Sequence, residues 1–198
     1  MGIKSALSKP FAKIIARKIR KWSSKPVETQ DRVFQELMEG GKNTAFGRDH
    51  DFGSIKTYED FKAKVPVRDY EELRPYFERV VKGESDVLWK GKPIYLAKTS
   101  GTTSGAKYIP ITKESIPNHI NSARNALLSY IAETGNSSFV DGKMIFLSGS
   151  PVLDEDGAIP SGRLSGIVNH HVPDYLLKNR MPSWETNCIE DWETKVDA

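Results

Sequence analysis

Between Thr99 and Pro110 the chain reads Thr-Ser-Gly-Thr-Thr-Ser-Gly-Ala-Lys-Tyr-Ile-Pro, and the first nine of these residues hold five hydroxyls, two glycines and one lysine. Nothing apolar in those nine is larger than alanine, so the segment has little to contribute to a core. It is suited to wrapping an anion. Glycines let backbone N–H groups approach closely, hydroxyls add donors, and a lysine adds a point charge. The candidate phosphate-binding residues are therefore Thr99, Ser100, Gly101, Thr102, Thr103, Ser104, Gly105 and Lys107. The pattern is not a Walker A loop, because the glycines lie four apart and no Gly-Lys-Ser/Thr follows. The plainer alternative is a flexible loop without a ligand, against which stands the closing Lys107-Tyr108-Ile109-Pro110.

Two elements must hold such a loop. Pro93 to Ala97 reads as a strand, and the repeat Ile116, Ile120, Ala123, Leu127, Ile131 reads as a long helix capped by Thr112 and stopped at Gly135. The expected order is strand, loop, helix, with anion binding helped by the helix N-terminus. Upstream, Val87-Leu88-Trp89 and Ile94 to Ala97 suggest two short strands around a turn at Lys90-Gly91-Lys92. Downstream, Lys143 to Ser148 reads as a buried strand.

The region before the loop is helical. A helix from about Asp31 to Glu39 ends at Gly40-Gly41, and residues 42–56 read as a loop. Thr57 with Asp60 resembles a capping box for a short helix stopping before Pro66. Asp69 with Glu72 caps another helix, which Pro75 should split or kink. After Ser148 comes a Gly/Pro/Ser-rich stretch to about Pro173, then helical segments that run to the last residue without a stop signal, as expected of a truncated chain, with a natural short product the alternative.

At 198 residues and 38% hydrophobic the chain can bury one ordinary core, and 28% charged residues with no bilayer-length apolar run argue against a membrane protein. The single cysteine, Cys188, excludes an internal disulfide framework and suits a reducing compartment such as the cytoplasm. The net charge of +3 is uneven: residues 1–26 carry eight Lys/Arg and no Asp/Glu, leaving 21 cationic against 26 anionic side chains, a net −5. In that basic segment Leu7, Phe11, Ile14, Ile15, Ile19 and Trp22 share a helical face opposite Lys13, Arg17, Arg20 and Lys21. A helix clamped onto the body of the protein is the favoured reading, and contact with anionic lipid is the alternative. The acidic body carries no nucleic-acid-binding module.

Other candidates carry less. The adjacent His170 and His171 have no nearby Cys/His partner, Asp154-Glu155-Asp156-Gly157 lacks the later glutamate of a calcium loop, and Arg163 reads as a surface arginine. Ser148-Gly149-Ser150-Pro151 leaves the end of a strand, where α/β sheets place ligands. No Ser-His-Asp order or paired-carboxylate spacing supports a hydrolase.

Ser100-Gly101-Thr102-Thr103-Ser104-Gly105-Ala106-Lys107 resembles the phosphate loop of acyl-adenylate-forming enzymes, and Lys107 to Thr112 is similar to one branch, the GH3 family of acyl-acid–amido synthetases. Thr44 to Gly47, Phe61 to Val67 and Gly83 to Trp89 resemble the stretch that family places before its loop. The loop departs from it in one respect: many members carry one more residue between the second glycine and the lysine. The resemblance implies an α/β fold in which a helical N-terminal flank precedes part of the large adenylate-forming domain, a sheet with packed helices. It implies that residues 27–198 are the N-terminal part of that domain, preceded by the basic amphipathic helix that charge and spacing predict over residues 1–26. It also implies an ATP-dependent ligase in which a carboxylate attacks the α-phosphorus, pyrophosphate leaves, and an amino acid takes the acyl group. Mg²⁺ is expected with the nucleotide. Thr102, Thr103 and Lys107 would serve that chemistry, in a longer protein rather than in this piece alone. A non-catalytic phosphate-binding fragment or a membrane-surface adaptor is the competing reading.

Overall fold

The computed structural model describes residues 2–99, 106–146 and 148–198, with Asp174 and Tyr175 described for their backbone only. In chain order the elements are α1 (Ile3–Ser23), α2 (Pro26–Gly41), α3 (Ala45–Asp49), α4 (Tyr58–Lys64), α5 (Tyr70–Val81), β1 (Tyr95–Thr99), β2 (Lys107–Ile111), α6 (Ile116–Thr134), β3 (Met144–Ile145), β4 (Ser161–Gly162), α7 (Leu164–Asn169), α8 (Asp174–Leu177), β5 (Arg180–Met181), α9 (Trp184–Cys188) and α10 (Trp192–Asp197). This is the mixed helix-and-sheet fold expected. The chain divides into two compact units, one of residues 1–25, 114–153 and 162–198, the other of residues 26–113 and 154–161.

In the second unit α2 begins at Pro26, five residues before the expected start, because proline suits the first turn of a helix. Residues 42–56 are not a bare loop. Thr44 accepts the Gly47 N–H and starts α3, and the Ala45 and Phe46 N–H groups bond the Asp86 and Val87 carbonyls. Those bonds take the backbone expected to form a strand at Val87 to Trp89, and none forms there. Both capping boxes are present: Thr57 with Asp60 opens α4 and Asp69 with Glu72 opens α5. Pro75 lies inside α5 without splitting it. Its missing N–H removes one bond, while the cap and the burial of Val80 hold the two halves together. The core is Ala45, Val80, Val87, Leu96 and Ile159, with Tyr76 and Tyr108 packed against it.

The first unit is built on α6. Ala12 and Ile15 of α1 pack on Leu128 and Ile131 of α6, with Ile19, Ala132, Phe139 and Val140 around them. Asp141 supplies the cap that Gly2 lacks, accepting from the Gly2 N–H at 2.7 Å and the Ser5 N–H at 3.2 Å. The hydroxyls of Ser5 and Ser137 meet at 2.6 Å in a buried contact. The basic helix is therefore clamped, through Ser5, Ala12 and the Ile15 and Ile19 part of its expected apolar face. Leu7, Phe11, Ile14 and Trp22 of the expected apolar face stay exposed. No described helix is long and apolar enough to cross a membrane.

The strand expected over Lys143 to Ser148 is shorter and less buried than its composition suggests. Among its described residues only Met144 and Ile145 are strand, pairing in parallel with β5, and Ile145 is 74% exposed. Among the described residues nothing covers that face. The C-terminal helical pattern is broken into α9 and α10, the latter opened by an Asp191 cap.

Candidate functional site

The loop candidates Ser100, Gly101, Thr102, Thr103, Ser104 and Gly105 lie outside the described residues. Thr99 and Lys107 stand at its two ends, and their setting corrects the expected order of elements. The segment after the loop is not a helix but β2, which pairs antiparallel with β1, placing Thr99 opposite Lys107 and Tyr95 opposite Ile111. The loop therefore closes a hairpin. The long helix starts at Ile116 after Ser115 rather than at Thr112, so its N-terminus does not directly follow the loop.

Three features hold the hairpin. Leu96 and Ala97 are buried, and the Leu96 N–H bonds the Pro160 carbonyl at 2.9 Å, fixing β1 between β2 and β4. Since that N–H points toward β4, Lys98 N–H does too, and by the same alternation Tyr108, opposite Lys98, turns its own N–H away from β1. That outward N–H donates to the Tyr70 hydroxyl at 2.9 Å. Pro110, at the next outward position, has no N–H to satisfy. Tyr70, the first residue of α5, stacks on Phe77 with ring centroids 4.6 Å apart. The Lys107 ammonium lies 5.2 Å from the centre of the Tyr70 ring. Tyr70 carries no signal of this role in the sequence, because its partners are 37 and 38 positions away.

Lys98, one residue before Thr99, binds Asp154 at 2.9 Å. The hydrogen bond from Lys98, together with the Asp156 N–H, holds the Asp154 carboxyl below the usual carboxylate range, and the same bond raises Lys98. This makes the acidic turn a clamp on the hairpin rather than a metal loop. A lowered carboxylate stabilises the folded state above its ordinary pKa and loses that contribution as pH falls through the folded value. Asp154→Asn should therefore melt below the parent at neutral pH, and the gap should close in acid. Melting curves recorded against pH check this, and a gap that persists at low pH would refute it.

Arg163 is exposed. His170 Nε2 lies 2.7 Å from the Pro151 carbonyl and its ring meets Trp184 edge-on, while burial and the neighbouring His170 lower the His171 pKa. Cys188 is half-buried, and no cluster of three His, Cys, Asp or Glu exists among the described residues. A polar group unforeseen from the sequence joins the segment after β3 to β5: Arg180 donates to Asn169 Oδ1 at 2.7 Å and Ser148 Oγ at 3.2 Å, and Asn169 Nδ2 donates to Ser148 at 3.1 Å. A cavity of about 130 Å³ is lined mainly by apolar side chains, among them Val80, Val87, Leu88 and Trp89, with Glu84 and Thr112 also on its wall, and it offers no cation to a phosphate.

The GH3 family N-terminal domain model matches residues 15–196. The indole-3-acetic acid-amido synthetase GH3.15 of Arabidopsis thaliana is 33% identical over 96 residues, covering 48% of this chain and 16% of that protein. The jasmonoyl–L-amino acid synthetase JAR4 of Nicotiana attenuata is 24% identical over 162 residues, covering 80% of this chain and 27% of its own. Among solved structures, the AtGH3.15 acyl acid amido synthetase in complex with 2,4-DB superposes with a TM-score of 0.73 at 21% identity, over 90% of this chain and 32% of that one. The likeness of structure shows the fold. This chain spans less than a third of the length of these relatives.

Proposed function

The chain belongs to the GH3 family, and from that premise we propose that it is the phosphate-loop-bearing N-terminal part of an ATP-dependent acyl-acid–amido synthetase. Residues 27–198 would belong to the adenylate-forming domain and residues 1–26 to a basic helix docked on it. The observation that carries this reading is the hairpin: Thr99 and Lys107 are paired at the ends of a segment made of hydroxyls and glycines. The donor set suits a triphosphate. Ser100, Thr102, Thr103 and Ser104 supply hydroxyl donors, Gly101 and Gly105 allow backbone approach, and Thr99 and Lys107 close the ring. The task of these groups is to neutralise the charge that develops on the departing pyrophosphate while a small carboxylic acid is activated for an amino acid. Mg²⁺ would accompany the nucleotide, and no residue of this chain is assigned to it. The single Cys188 agrees with a cytoplasmic setting.

The test is direct. Thr102→Val combined with Thr103→Val should weaken ATP or pyrophosphate binding by about 1–3 kcal/mol, since two donors are lost, with little change in melting. Calorimetric titration of wild type and double variant decides it. Equal affinities with equal melting would remove the phosphate assignment.

A further inference from the structure

We infer that Tyr70 is a positioning residue for Lys107, holding the lysine at the mouth of the loop through its ring and holding the backbone beside it through its hydroxyl. The inference rests on Lys107 as a phosphate-binding residue. Two separate contacts reach the same tyrosine from adjacent residues of β2: the Lys107 ammonium 5.2 Å from the ring centre and the Tyr108 N–H 2.9 Å from the hydroxyl oxygen. A third fixes the ring, which stacks on Phe77 of the same helix at 4.6 Å and 18°. The capping box of Asp69 and Glu72 sets the turn on which Tyr70 stands.

Each part does a different job. A lysine stem has four rotatable bonds, and an ammonium at the end of it binds an anion best when few of its rotamers remain open. An aromatic face within about 6 Å attracts the ammonium without forming a competing ion pair. An acidic partner would hold the lysine more strongly, but its charge would oppose an incoming phosphate. The hydroxyl, by taking the outward N–H of Tyr108, keeps the edge of β2 against α5, so ring and strand move together.

The experiment is a double-mutant cycle read by titration of inorganic pyrophosphate into the 198-residue chain. Tyr70→Leu should weaken binding about three- to tenfold with Lys107 present and less than twofold in a Lys107→Ala background, where only the strand contact of the hydroxyl is left to lose. Tyr70→Phe keeps the ring and should stay within about twofold of wild type at low temperature. A contribution from Tyr70 to folding alone would persist after Lys107 is removed, and an equal loss in both backgrounds overturns the inference. A second measurement needs no variant that must fold: the Lys107 Cε protons of the wild type should be shifted upfield by the Tyr70 ring current. Unshifted protons also overturn the inference. Failure of wild type to bind pyrophosphate, with the ring-current shift present, overturns the phosphate reading and this role with it, whereas binding that ignores Tyr70 overturns this role alone.

Discussion

Alanine at position 47 is expected to destabilise the chain by about 1–3 kcal/mol, the range in which a side chain forced into rigid surroundings is felt. Gly47 lies in α3 with its backbone pressed against the end of α2. A Cβ there would stand 2.1 Å from the Gly41 carbonyl oxygen, 2.9 Å from the Gly41 carbonyl carbon and 3.1 Å from Thr44 Oγ1. None of these is the free end of a flexible side chain. The Gly41 oxygen already accepts from the Thr44 N–H at 3.0 Å and the Thr44 hydroxyl at 2.7 Å, and Thr44 is 1% exposed. Relief would shift the cap of α3 and pull Ala45 away from Val80 and Val87. For a chain of this size that corresponds to a fall in melting temperature of about 2–12 °C. Gly53→Ala is the control: its Cβ would meet nothing within 4 Å, so the change should stay within about 0.5 kcal/mol. If both variants melted alike, the packing of α2 on α3 would not be as described.

The other large effect falls on chemistry. In a protein of the length of its relatives carrying this segment, Lys107→Ala should slow acyl-adenylate formation by about 10²-fold, the scale of removing one preorganised donor from a developing anion. Amide formation from preformed adenylate should be nearly unchanged, since pyrophosphate has already left. ATP–pyrophosphate exchange isolates the first step, and a single-turnover assay with adenylate supplied isolates the second. Normal exchange with impaired amide formation would give the lysine a different task.

Legibility in the sequence followed the range of the forces involved. The two capping boxes and the stop at Gly135 could be read because each is settled within four or five residues. The α3 helix could not. Five residues rarely form a helix alone, and this one is held by carbonyls of Asp86 and Val87 some forty positions away. The hairpin was hidden for a related reason. Lys107 to Ile111 contains Pro110, which argues against a strand unless the strand is an edge, and which strand is an edge is decided by pairing. Periodicity marked Ile15 and Ile19 of the α1 stripe, which do pack with α6, but not Ala12, which is fully buried beside them, nor Ser5, whose partners Ser137 and Asp141 lie more than 130 positions away. At the site, composition alone marked Thr99 to Lys107. Tyr70 was invisible, being one of seven tyrosines with no local pattern to distinguish it.

The pairing of Thr99 with Lys107 also bears on how the segment between them tolerates change in length. Seven residues separate the two, and their ends are brought together by the ladder rather than by a ligand. For a chain closed in that way, one inserted residue alters the closure entropy by only about 0.1 kcal/mol. Lys107 keeps its address through its register with Thr99 and its contact with the Tyr70 ring, neither of which counts residues across the loop. A change of one residue in the length of that segment therefore leaves the pairing of Thr99 with Lys107, and with it the place of the cation, as it was.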